Sequence, residues 1–252
     1  MSLTVSLKEL IESGAHFGHQ VKRWNPKMSE YLYGEKDGVH IFDLTKTKPL
    51  LEEALEVLKN ASKAGKVILF VGTKKQVKEE IAVKAKEAGV YYINERWLGG
   101  TLTNLEQIKR SLRRMNEIEA GFEKNEYANR TKKERLLIKR DKDRLERFFG
   151  GINGLERMPE ILVIVDTKRE KTAIREAKAM EVETIGLVDS NSNPTDVDYP
   201  VPMNDDASKA LDYVLGLMRD AILEGKGKSN TSSKSSESSE SRKGSKGKNK
   251  DN

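Results

Sequence analysis

There is no cysteine among the 252 residues, and proline (six residues) and aromatics (6%) are sparse. The missing thiols exclude disulfides, a thiolate nucleophile and a thiolate metal site. No apolar run approaches the ~20 residues a membrane-crossing helix needs. The opening MSLTVSLKELIE lacks the charged-then-apolar pattern of a signal peptide. A soluble, cytoplasmic protein is expected. Histidine is equally scarce, with His16, His19 and His40 alone. A nucleophilic site would have to pair one of them with Ser or Thr, and no G-x-S-x-G elbow exists. No catalytic residue is assigned and no cofactor is expected.

What is present is charge, and it is segregated. Residues 105–149 hold 14 Lys/Arg against 9 Asp/Glu, and residues 225–252 hold 8 against 3. Residues 150–224 run the other way, 8 against 15, within a chain of net charge +6. Cations gathered in one segment and one tail point to a polyanion rather than to solubility alone.

Four short apolar runs, KVILFVGT (66–73), EILVIVDT (160–167), TIGLVDS (184–190) and YPVP (199–202), read as strands, each but the third followed by a helical pattern. A further strand-like run, VYYINERW, lies at 90–97. Continuous apolarity marks strands covered on both faces, and crossovers of helical length imply parallel pairing. YLYGEKDGVHIFDL (31–44) reads as a hairpin with Gly34 and Gly38 bounding its turn. Capping-box pairs Ser6/Glu9, Thr73/Gln76, Thr103/Glu106, Thr131/Glu134 and Thr167/Glu170 mark helix starts. The expected fold is α/β, a doubly wound, mainly parallel sheet flanked by helices, formed by 1–101 and 151–224. Between them, residues 102–150 carry two helices, each with one narrow apolar seam (Leu105, Ile108, Leu112, Met115; then Ile138, Leu145, Phe148) and a wide charged face. That pattern predicts an inserted, protruding coiled-coil hairpin. Residues 225–252, rich in Lys, Ser and Gly without a large apolar residue, are expected to be disordered.

The glycines do not spell a nucleotide site. FVGTKKQ (70–76) has neither the G-x-G-x-x-G fingerprint nor the phosphate-cradling G-x-x-x-x-G-K-[ST] loop. In GGINGLE (150–156), Gly150 or Gly151 is expected to end a helix in a left-handed conformation. RWLGGTLTN (96–104) fits a hinge from sheet to hairpin, with Trp97, Gly99 and Gly100 at the joint, although close approach to a phosphate also suits paired glycines. HFGH (16–19) supplies two metal ligands where zinc needs three or four. Asp189, Asp205 and Asp206 are carboxylates able to complete a set, but nothing in the sequence joins them, and no metal is assigned. DSNSNPTDVD (189–198) reads equally as a turn and as a strand-end site.

GAHFGHQVKRWNPKM (14–28) mixes cations with planar side chains in a Gly/Pro-bounded loop, as phosphate contact and base stacking require. The hairpin adds KRSLRR (109–114) and KRDKDRLER (139–147), which alternate with acids much as i,i+4 pairing on a solvated helix would have it. No DNA-reading motif is present. SGAHFGHQVKRWNPKM, VGTKKQ, RWLGGTLTN and DSNSNPTDVDYPVPMNDDA together resemble, in order and spacing, the bacterial small-subunit ribosomal protein S-two family. Ser192 and Asn193 stand where that family commonly has Cys and Asp. The resemblance implies a structural, non-enzymatic protein of the small ribosomal subunit. Its partners would be small-subunit ribosomal RNA, neighbouring ribosomal proteins, and the messenger-binding protein S-one where that exists, with no membrane and no DNA partner. RNA-contact candidates are His16, His19, Lys22, Arg23, Trp24, Asn25 and Lys27 in the first loop, Arg96, Thr103 and Asn104 at the hinge, and Lys109, Arg110, Arg113 and Arg114 on the hairpin. A nucleotide-dependent enzyme using the strand ends near Gly72 and Asp189, and a protein-interaction scaffold, are the competing readings.

Overall fold

The computed structural model describes residues 4–227. Five strands form a parallel sheet: β4 (Ile68–Val71), β5 (Tyr91–Ile93), β6 (Ile161–Val165), β7 (Glu183–Val188) and β8 (Tyr199–Pro202), in the order β5-β4-β6-β7-β8. Every residue of β4 and β6 is buried, which is why these runs are unbroken Ile, Leu, Val and Phe. Helices α2 (Leu44–Lys63), α3 (Lys78–Ala88) and α7 (Ser208–Gly225) pack together against the sheet, and α6 (Lys171–Ala179) packs on β7. Strand order changes direction between β4 and β6, the place where doubly wound sheets open a crevice beyond their carboxyl ends.

A second, antiparallel sheet of three strands was not expected. It joins β1 (Phe17–Gln20), β2 (Leu32–Lys36) and β3 (Val39–Phe42) in the order β1-β3-β2. The anticipated hairpin is β2–β3, but its turn is Asp37–Gly38, both at positive φ (54° and 76°), a two-residue turn whose twist suits a hairpin. Gly34 lies within β2 instead. Residues 17–20, read as loop, form a strand because β3 offers them a free edge.

Helices α4 (Leu105–Glu123) and α5 (Lys132–Phe149) follow one another between β5 and β6 and pack along their seams, with Ile108, Leu112, Met115, Ile118, Leu145 and Phe149 buried. Arg114 to Asp141 at 2.6 Å and Lys142 to Glu119 at 2.8 Å tie the two helices together. Phe149, not Phe148, is the buried phenylalanine.

The capping pairs divide. Thr131/Glu134 forms a complete box before α5, and Ser6 Oγ accepts from Glu9 N before α1 (Leu7–Glu12). The other three fail: α3 begins after Val77, α4 after Asn104 and α6 after Glu170. The Thr73 and Thr103 hydroxyls bond carboxylates from distant segments instead, Glu170 and Glu176. Gly150 is right-handed, contrary to the expected helix stop, and a single 3-10 turn, Gly150–Ile152, continues from α5. The constraint falls on Gly151, where a Cβ would lie 2.2 Å from the Tyr92 carbonyl oxygen. Helix α7 runs through Gly225, and the tail expected to be disordered lies, from residue 228, outside the described residues.

Candidate nucleic-acid interface

The first loop and the 189–198 loop, separate in sequence, form one surface. Strand β1 lies across the end of β7: the His19 backbone N–H donates to Ser190 Oγ at 2.8 Å, and Asn25 N–H to the Ser190 carbonyl at 2.7 Å. A Cβ at Gly18 would meet Ser190 Oγ at 2.9 Å, so the contact requires glycine there. His19 Nδ1 stands 2.9 Å from Asp189 Oδ1 and its Nε2 3.5 Å from Asp206 Oδ2. The hydrogen bond to Asp189 raises the His19 pKa; partial burial opposes it, and the charges of Asp189, Asp205 and Asp206 add to the rise.

Beneath them sits Lys74. Its Nζ reaches Asp205 and Asp206 at 2.5 Å each and Asp166 at 3.4 Å. Burial works against the ammonium, but these carboxylates outweigh it and hold its pKa above the lysine value. Asp205 is fully buried, and burial together with Asp189 and Asp166 raises its pKa despite Lys74. His19, Asp189 and Asp206 offer ligand atoms within 4.8 Å of one another, so a cation fits that cluster by donor type. The Lys74 ammonium already supplies positive charge to one of the cluster's two carboxylates, Asp206. At the β4/β6 switch, Thr73 donates to Glu170 at 2.5 Å and accepts from Arg169 Nε at 2.8 Å. At the mouth of the crevice the chain's own side chains pair with one another.

The loop 97–103 does cradle an anion, and the anion is internal. The buried Glu176 carboxylate on α6 accepts from Trp97 Nε1 (3.1 Å), Gly100 N (2.8 Å), Leu102 N (3.0 Å) and Thr103 N and Oγ1 (3.3 Å each). Burial alone would raise its pKa, but these donors outweigh it and hold it below the usual carboxylate value. Gly100, at φ 90°, turns its amide toward the carboxylate, a conformation that favours glycine. Nothing in KTAIREAKA distinguishes Glu176 from a solvated helix residue, and it was missed.

Of the anticipated contact residues, Lys22, Arg23, Trp24 and Lys27 are exposed together. Trp24 packs on His40 with ring centroids 5.0 Å apart, and Lys27 Nζ donates to Thr195 Oγ1 at 3.3 Å. Asn25 is turned to its own backbone, its Oδ1 accepting from Lys27 N. His16 is half-buried against Phe17. Arg96 and Asn104 are exposed, while Trp97 is buried, which leaves its face no room for a base. On α4, Lys109 is paired with Glu106 and Arg114 with Asp141, leaving Arg110 and Arg113 exposed without an ion pair among the described residues.

A family model described as "Ribosomal protein S2" matches residues 10–225. The chain belongs to the ribosomal protein S2 family. It is 47% identical over 222 residues to the "Small ribosomal subunit protein uS2" of Picosynechococcus sp., covering 88% of this chain and 87% of that protein. It is 43% identical over 230 residues to the protein of the same name from Prochlorococcus marinus, covering 91% and 98%. Membership of this family favours a structural role over the nucleotide-enzyme reading. Among the described residues, no helix is long and apolar enough to cross a membrane.

Proposed function

We propose that this protein is a structural constituent of the small ribosomal subunit, binding ribosomal RNA through cations and neighbouring ribosomal proteins through the rest of its surface. Family membership supports the structural role in the subunit. The observation that carries the RNA contact is the exposed set Lys22, Arg23, Trp24 and Lys27. None of its three cations, Lys22, Arg23 and Lys27, has a carboxylate partner among the described residues, and an indole stands beside them. Cations position a phosphate backbone, and a planar ring stacks on an unpaired base. The inserted unit 102–150 is a second contact element with its own cations, and the hinge at 96–104 sets its direction. The cytoplasmic ribosome is the setting, protein S-one is a neighbour where it exists, and neither DNA nor membrane is a partner.

Sucrose-gradient sedimentation of a gentle lysate tests this. The protein is expected to travel with small subunits, and Lys22→Gln/Arg23→Gln/Trp24→Ala to shift it toward free fractions while its melting temperature is kept. Recovery of the unaltered protein only in free fractions would overturn the proposal.

A further inference from the structure

The two helices of the inserted unit differ in how their cations are used. On α4, Lys109 and Arg114 are neutralised within the unit, which leaves Arg110 and Arg113 as its two exposed cations without an ion pair among the described residues. On α5 the outer face is different. Leu136 is 47% exposed, and the buried Leu145 lies nine positions on, about two and a half turns, hence on the opposite side of the helix. Lys132, Lys133, Lys139 and Arg140 stand at i−4, i−3, i+3 and i+4 from Leu136, which makes them its neighbours on that outer face. All four are exposed, and none has an ion pair or hydrogen bond to a side chain among the described residues. Of the acids nearby, Glu134 closes the cap at Thr131 and Asp141 holds Arg114 and Arg144, while Asp143, at i+4 from Lys139 and i+3 from Arg140, makes no ion pair with either.

Four like charges gathered within little more than two turns of one face repel, and helix pairing normally intersperses acids to relieve this. Left unrelieved on a convex surface, they fit a partner that brings the negative charge itself. A protein partner would need a groove or pocket for its anchoring side chains. Leu136 stands proud among cations, and the cavity on this unit, about 380 Å³, opens instead at the side, lined by Arg114, Ile118, Tyr127, Leu137, Ile138 and Asp141. A sugar–phosphate backbone needs only the cations, whose binding releases condensed counterions.

We infer that the outer face of α5, Lys132, Lys133, Lys139 and Arg140, is the phosphate-contacting surface of the inserted unit, docking on the backbone of structured RNA without reading its sequence. This rests on the RNA-binding reading above and shifts the contact on this unit from the α4 cluster to α5.

The test measures binding of the full-length protein to small-subunit ribosomal RNA across a salt series. One variant carries Lys132→Gln, Lys133→Gln, Lys139→Gln and Arg140→Gln; a second carries Lys109→Gln, Arg110→Gln, Arg113→Gln and Arg114→Gln. Glutamine preserves helix propensity, and circular dichroism checks the fold. At about 0.7–0.9 per neutralised phosphate, the α5 variant is expected to lose about 3 from the slope of log affinity against log salt, and at least about tenfold in affinity near physiological salt. The α4 variant should lose less than half as much slope, and replacing Lys132, Lys133 and Lys139 by Arg instead should retain it. An unchanged slope for the α5 variant, or an equal loss from α4, overturns the inference while leaving RNA binding intact. Normal RNA binding by the α5 variant combined with loss from small subunits overturns it in favour of an acidic protein partner. Salt-independent or absent binding by the unaltered protein overturns the RNA-binding reading itself, and this inference with it.

Discussion

The Trp97 indole N–H donates to the Glu176 carboxylate at 3.1 Å, across a separation of 79 residues. Trp97 closes the segment that leaves the sheet, and Glu176 sits on α6 under the start of the inserted unit. One carboxylate gathering an indole, three backbone amides and a hydroxyl fixes the whole 97–103 turn. It converts the glycine pair from a flexible hinge into a set joint.

Glu176→Gln removes the negative charge and offers one carbonyl acceptor where two oxygens had served. Loss of charge-assisted bonds and stranding of buried donors should cost about 2–3 kcal/mol. A urea titration reads this as a lowered midpoint with unchanged slope. A midpoint equal to that of the unaltered protein would show the carboxylate to be incidental.

The same carboxylate gives the joint an acid limit. Its folded pKa is depressed, so its contribution is complete above the unfolded glutamate value and is lost as pH falls through the folded value. Trp97 fluorescence, followed in a Trp24→Phe background, should change on acidification below the ordinary carboxylate range, before global unfolding. In Glu176→Gln that early step should be missing.

His19 makes the opposite prediction. Its pKa is raised, chiefly by Asp189, so its contribution is complete below the unfolded histidine value of 6.5 and is lost as pH rises through the folded value. The stability difference between the unaltered protein and His19→Gln should therefore be larger at about pH 5.5 than at about pH 8.5. A difference independent of pH would mean that the ring packs without being charged.

Gly151→Ala should destabilise by at least about 2 kcal/mol through overpacking, because the new methyl meets the Tyr92 carbonyl and ring. Gly34→Ala, on an exposed strand with nothing within 4 Å of the added atom, should be tolerated. Thermal melts of the two separate a packing constraint from a general dislike of side chains.

What the sequence determined by itself was whatever physics makes local. Strands β4 and β6 are legible because burial on both faces demands unbroken apolar runs, and α4 and α5 because a seam repeats every three or four residues. The Thr131/Glu134 box held because both partners lie within one turn. Tertiary structure decided what depends on residues far apart in the chain. Thr73 and Thr103 were drawn from their capping roles by Glu170 and Glu176, since a buried carboxylate must find donors wherever they lie. His19 and Ser190 meet across 171 residues because β1 folds over the end of β7, and no spacing rule records that. Which cations stay free was partly decided in space: Arg114 is taken up by Asp141, 27 residues on, once the helices pack, whereas the Lys109–Glu106 pair is local. Sequence counts charges, but only the fold determines which of them already have a partner.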